Sequence, residues 1–323
     1  MSKYQPPTYD WPEYGLGQDT EAVVRALQQL RPRERRRLLL RQEDFGDEQP
    51  EAKRNRRFIY RYLPMDPRSP NPQLEQRKVE DLVVRGELYL SPVSQFNDPN
   101  EFRARVQLTS DTSVSEKWMR ELAEKHVRAQ GMAGSTARTM VDTIVARMKS
   151  NAATLPDLMQ ATWTHQADDF GICCFSQNPR SDLMWAHYAR AHRGICLQFD
   201  YSLCPGVLAL AQRVKYRDDL PELTWPEDQG RSIEPILSKA RDWRYEAERR
   251  YVSRELKGTT IRFDARSLTG VILGQRFDDD PKTGPWLASV LEERERRGLP
   301  PVRVYRAQRS EASYSLAIKA SRL

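Results

Sequence analysis

GICCFSQNPRSDLMWAHYARAHRGICLQFD, residues 171–200, sets two short apolar runs on either side of one amphipathic segment. The runs, GICCF and GICLQF, alternate as strands do. Ile172, Cys174 and Ser176 share one face of the first, and Ile195, Leu197 and Phe199 share one face of the second. Between them the spacing predicts a helix of about three turns, capped by Ser181 or Asp182 and stopped by Gly194. It carries Trp185, His187, Tyr188 and His192, a density of aromatic and imidazole groups that marks a candidate site.

Outward from this stretch, the clearest strand is FIYRYL, residues 58–63. Arg61 shares a face with Ile59 and Leu63, while Phe58, Tyr60 and Tyr62 take the other. Both faces are apolar, so the arginine calls for an anionic partner. A helix bearing Leu74, Val79, Leu82 and Val83 should end at Gly86, and ELYLS (87–91) reads as a strand. Asn97-Asp98-Pro99 is a turn signal bracketed by Phe96 and Phe102. It is either a stiff corner or a loop that holds Asn97, Asp98 and Glu101 over a ligand. Residues 113–167 read as a helical insertion of three helices, divided near Gly131 and Gly134 and reopened at Pro156. His126 and His165 fall inside it as ordinary helix residues.

Past the central stretch, RVKY (213–216) reads as a strand, residues 217–230 as a loop, and a helix is expected around 233–241. KARDWRYEAERRYV (239–252) reads as a strand from Trp243. That reading puts Trp243, Tyr245, Ala247, Arg249 and Tyr251 on one face, and Glu246, Glu248 and Arg250 on the other. VILG (271–274), a charged helix over 284–297, and strands at 302–307 and 314–318 complete the pattern. Strands with an intervening helical block predict an α+β fold with a mixed or mostly antiparallel sheet core. The expected layout is an N-terminal extension over 1–57, partly helical and basic, followed by an α+β domain over 58–323.

The 323 residues are 39 % hydrophobic and 30 % charged, which suits an enzyme-sized core with charged appendages. A net charge of +7 and a pI near 9.2 favour polyanions, and RPRERRRLLLR (31–41) offers either a phosphate-binding face or a solvated helix face. The four cysteines cluster in and beside the central stretch and do not form a secreted framework. With no apolar leader and no membrane-length run, a soluble cytoplasmic protein is expected.

Three chemistries compete for the polar residues. Zinc binding by Cys173, Cys174, His187, His192 and Cys196 fails on spacing, so no metal is expected there. A thiol nucleophile with His187 as base would have to be drawn from apolar strands, where cysteine usually packs. Glu246 and Glu248 form either a salt-bridge ladder with Arg250 or a carboxylate pair able to stabilise an oxocarbenium-like centre.

The ordered set FNDPxE (96–101), CFS (174–176), MWAHYAxxHxGxCxxFD (184–200) and WxYExExR (243–250) resembles a widespread bacterial domain family of unknown function, often encoded near phage-defence and mobile genes. The resemblance covers residues from 58 to the C-terminus. The order Arg61, Ser176, Glu246-x-Glu248 also looks like the arginine–serine–glutamate plan of ADP-ribosyltransferases. That second resemblance implies a related sheet core, NAD as co-substrate, and an RNA or protein acceptor. It implies that Arg61 holds the dinucleotide, Ser176 orders the site, Glu248 contacts the ribose and Glu246 serves the acceptor. Tyr60 or Tyr188 would stack on nicotinamide, and Trp185, His187, His192, Asn97 and Asp98 would line the pocket. The sequence departs from the plan where CFSQN stands in place of Ser-Thr-Ser. The alternatives are a non-catalytic nucleic-acid-binding or sensor protein of a defence system, and a metal-dependent nuclease built on Asp98, Glu101, His187 and Glu248.

Overall fold

FIYRYL forms β1 (Phe58–Leu63), and the rest of the larger unit is arranged around it. In the computed structural model the described residues are 58–65, 69–150, 155–203, 207–228, 232–254, 256–312 and 314–323, with Gln29, Arg31 and Glu34 in addition. The expected N-terminal helix, most of the Arg31–Arg41 segment and Cys204 lie outside them.

On one side β1 pairs antiparallel with β4 (Ile195–Asp200), Phe58 opposite Asp200 and Leu63 opposite Ile195. On the other side it pairs with β3 (Phe170–Ser176), Tyr60 opposite Ser176. β6 (Glu248–Arg254) takes the far edge of β3, β2 (Ser91–Pro92) pairs with Ile172 and Gly171 on the same edge of β3 as β1, and β5 (Gln212–Arg213) closes one end against β6. β7 (Leu268–Leu273), β8 (Arg303–Arg309) and β9 (Leu316–Ala320) extend the other end. Among the described residues the order is β9-β8-β7-β4-β1-β3-β6-β5, with β2 off this path. Only β7–β8 is parallel among these pairings, and the helix Thr283–Arg296 supplies the long crossover that a parallel pair requires. The sheet is therefore mixed and the class α+β.

Both faces of the sheet are covered, which accounts for the nearly continuous apolar runs in β1, β3 and β4. On the first face Tyr60, Tyr62, Cys196 and Ile272 pack with Met184 and Trp185 from the helix Asp182–Tyr188. On the second, Phe175, Phe199 and Phe263 meet edge to face, at ring separations of 6.2 and 5.7 Å. Behind them Arg294 is a buried clip. It donates to the carbonyls of Pro300 at 2.8 Å, Val83 at 2.7 Å and Ala265 at 2.9 Å.

Several local expectations need correcting. The helix after β3 stops at Tyr188, so it is two turns long and not three. Ser181 does cap it, its Oγ accepting from Met184 N at 3.4 Å, but Gly194 is not its stop. Arg190, Ala191 and His192 take left-handed φ values of 49°, 50° and 69°. Gly194 is needed for closeness instead, because a Cβ there would lie 2.1 Å from the Leu63 carbonyl oxygen. The run from Trp243 is not one strand: Arg241–Glu246 is a 3₁₀ turn, Ala247 is left-handed at φ 44°, and the strand begins at Glu248. The helix expected around 233–241 gives way to turns and the short strand Ser238–Ala240.

The smaller unit comprises residues 98–168 and 219–238 in its described part. It holds the expected three helices, Thr112–Ala129, Gly134–Ser150 and Leu155–Ala167. It also holds a parallel pair, Arg105–Leu108 with Glu222–Trp225, the second strand falling where a loop was expected. Trp118 meets Trp225 edge to face, and Trp163 Nε1 donates to the Phe102 carbonyl at 2.6 Å.

Candidate functional site

Ser176 closes β3 and Glu248 opens β6 directly opposite it, so the two strand ends fix the floor of the site. Just before Glu248, the left-handed Ala247 turns the chain so that Glu246 comes from the 3₁₀ turn. Ser176 Oγ donates to the Glu246 carbonyl at 2.6 Å and accepts from Asn178 N at 3.0 Å, and Gln177 N donates to the Ala247 carbonyl at 2.8 Å. The serine therefore ties this corner together through its hydrogen bonds to backbone.

The two glutamates do not project side by side from one strand, yet their carboxylates meet through Lys239. Its Nζ lies 2.6 Å from Glu246 Oε2 and 3.9 Å from Glu248 Oε2. Arg250 grips Glu248 with two hydrogen bonds, Nε to Oε1 at 2.9 Å and Nη2 to Oε2 at 2.8 Å. Glu246 is only 3 % exposed and Glu248 6 %, so this quartet is buried, which is tolerable because each charge has a close opposite neighbour. Lys239 was not among the sequence candidates. Its lysine-to-glutamate spacing crosses a turn, and neither helical nor strand periodicity draws attention to it.

The quartet separates the two acids electrically. Burial, then the neighbouring charge of Glu248, pushes Glu246 up to about 7. Burial also pushes on Glu248, but the charge and paired hydrogen bonds of Arg250, with Lys239 behind them, outweigh it and hold Glu248 below the usual carboxylate value. Tyr188 Oη donates to Glu246 Oε1 at 2.5 Å, and the nearby Asn97 side chain works against the rise that burial causes in the Tyr188 pKa. Burial first, and the Glu246 charge second, keeps that phenol protonated by raising its pKa. Tyr216 Oη accepts from Glu248 N at 2.8 Å, and burial first, with the charge of Glu248 second, raises the Cys174 thiol pKa.

Beside this core run three rings that are not sealed. His187 is exposed, while Tyr245 and Trp243 are half-buried. His187 and Tyr245 lie 6.2 Å apart, Tyr245 and Trp243 6.0 Å apart, and the Lys239 ammonium stands 4.4 Å from the Trp243 ring centroid.

Other sequence candidates fall elsewhere. Arg61 projects from the opposite face of the sheet, since Tyr60, its neighbour in β1, is the residue that registers with Ser176. Its Nη1 donates to Cys173 Sγ and the Cys174 carbonyl, each at 2.8 Å, and its guanidinium lies over Phe175. The anionic partner expected for it is replaced by a thiol, a carbonyl and a ring. Arginine, serine and glutamate thus do not converge on one face.

Tyr60 and Trp185 are core, not pocket wall. Trp185 is 0 % exposed, stands edge to face with Tyr62, and donates from Nε1 to the Pro179 carbonyl at 2.9 Å. His192 is half-buried and stacks on Trp185, with Nε2 3.6 Å from Asp182 Oδ1; burial lowers its pKa. Asp98 belongs to the smaller unit, where it accepts from Asn100 N at 2.8 Å as a turn residue. Cys173, Cys174 and Cys196 are free thiols. Burial pushes Cys173 up to about 11 and raises the other two, which disfavours the thiolate a nucleophile needs. Among the described residues no three His, Cys, Asp or Glu side chains are placed to share a metal ion, and no helix is long and apolar enough to cross a membrane.

Fold and site together define an α+β protein with a buried two-acid, two-base quartet beside a row of accessible rings. No family profile matches the chain, and neither a curated protein nor a solved structure matches it.

Proposed function

We propose that the chain is an ADP-ribosyltransferase-like enzyme that cleaves the glycosidic bond of NAD and passes the ADP-ribose to a macromolecular acceptor, in phage defence or as a toxin. The observation that carries this is the pair Glu246 and Glu248, joined through Lys239 at 2.6 and 3.9 Å but driven apart in acidity. Two carboxyls with opposed environments are how one site holds both an ionised stabiliser and a proton-handling group near neutrality.

In this reading the bond between ribose C1′ and the nicotinamide nitrogen breaks, and its electron pair leaves with nicotinamide, which departs neutral. Glu248 stays ionised and faces the oxocarbenium-like ribose. Arg250 takes one lone pair from each oxygen and leaves others to accept from a ribose hydroxyl. An acceptor hydroxyl or amine then bonds to C1′ and gives its proton to the ionised form of Glu246, which later returns it to water. Tyr188 and Lys239 hold the Glu246 carboxyl for that exchange. Arg61 cannot neutralise the pyrophosphate from the far face. Arg180, half-buried and close enough to Tyr60 for its charge to act on the phenol, takes that role on the Glu248 face.

The test is nicotinamide release from NAD by the full chain. Glu248→Gln and Glu246→Gln should each lower it about a hundredfold. No release by the parent, or unchanged release in both variants, refutes the proposal.

A further inference from the structure

The row His187, Tyr245, Trp243 is not used by the chemistry above. Its members come from two elements, the helix Asp182–Tyr188 and the turn Arg241–Glu246. The Tyr188–Glu246 hydrogen bond at 2.5 Å ties those elements together one residue away from both His187 and Tyr245. The rings are therefore held in place beside the acid and are not merely surface aromatics. Tyr245 is the middle ring, 6.2 Å from His187 and 6.0 Å from Trp243, so the row is longer than one base and suits successive planar groups.

Charged groups of both signs surround it, two of them exposed arginines. Arg241 and Arg244 on the same turn are exposed, with Asp242 the acid between them, and Lys239 lies under Trp243. Arg241 is paired with Asp218 at 3.0 Å, both largely exposed, a contact that a phosphate can exchange into at little cost. Aromatic faces interleaved with arginines are the elements from which single-strand binding surfaces are made.

We propose that the His187–Tyr245–Trp243 row is a stacking platform for the unpaired bases of a single-stranded nucleic acid. As the acceptor of the transfer proposed above, that strand rests on that reading; as a ligand it does not. The bases would stack on the rings while Arg241 and Arg244 contact the phosphates, and the strand would pass beside Glu246, the group assigned to the acceptor's proton. One base of a free dinucleotide would occupy only part of such a row.

The experiment is fluorescence anisotropy of the full chain with a labelled oligouridylate of about twelve nucleotides, with NAD as competitor. The parent should bind, and binding should weaken as salt rises. Trp243→Ala and Tyr245→Ala should each weaken it at least about fivefold, while Trp243→Phe retains most of it. His187→Ala changes an exposed ring with little risk to folding and should also weaken binding. Circular dichroism melts establish that each variant is folded. Glu246→Gln removes one negative charge beside the rings and should bind at least as tightly as the parent whatever its effect on nicotinamide release, which separates failure of the platform from failure of the transfer. Three results overturn the proposal: no binding at low salt, unchanged binding in His187→Ala together with the other two alanine variants, or displacement of the oligonucleotide by NAD.

Discussion

Glu246 and Glu248 are two positions apart, yet they respond to acid in opposite ways. Glu246 is raised from 4.5 to about 7 by burial and by Glu248, so in the folded protein it holds a proton that the unfolded chain has already released. Its contribution to stability is therefore fully present below about 4.5 and is lost as pH rises through about 7. Glu248 is lowered, so its contribution is present above 4.5 and is lost as pH falls through its folded value. Glutamine at 246 keeps the neutral form at every pH. The melting temperature of Glu246→Gln, minus that of the parent, should thus climb as pH is raised between the two values of Glu246. A flat difference across that range, followed by calorimetry, would mean that the Glu246 carboxyl is not so perturbed. The identities of both glutamates were legible in the sequence because acids two apart beside tryptophan and tyrosine are conspicuous. Lys239, which joins them, was not, because the turn that brings it back has no periodic signature.

The helix Asp182–Tyr188 and the turn after it show what a one-dimensional reading misses at the level of an element. Strand alternation and the serine cap could be read directly, since each depends on neighbours in sequence. Gly194 was misread because its reason lies in another strand: the Leu63 carbonyl leaves no room for a Cβ. Gly194→Ala should therefore cost about 3 kcal/mol, measured by denaturant unfolding. Ala191, exposed and left-handed at φ 50°, is the counter-case. Ala191→Gly should stabilise by about 0.5 kcal/mol, the strain relieved less the added freedom of the unfolded chain. The same distinction explains why the strand expected from Trp243 was too long. Its aromatic residues favour extended backbone, but Ala247 at φ 44° ends the 3₁₀ turn, and pairing with β3 begins only at Glu248.

At the scale of the whole molecule, the larger unit depends on polar groups that the sheet and its helices enclose. Arg294 bridges the helix Thr283–Arg296 to carbonyls at Val83, Ala265 and Pro300, and burial pulls its pKa down to about 10, still charged near neutrality. Arg294→Met keeps bulk but orphans those carbonyls, and should lower stability by about 3 kcal/mol with little change in oligonucleotide binding. The α+β class, the mixed sheet and the helical block were all legible, because hydrophobic period and length report them. Which face Arg61 takes relative to Ser176 was not, because that depends on a register between strands more than a hundred residues apart. The buried quartet has a further consequence. With all four groups ionised its charge sums to zero, so it neither draws nor repels a polyanion lying on the rings beside it. When Glu246 takes up a proton the sum becomes one positive charge, and the same event that removes the base strengthens the hold on phosphate. Grip and turnover are thus set against each other by a single proton, with the balance point near neutral pH.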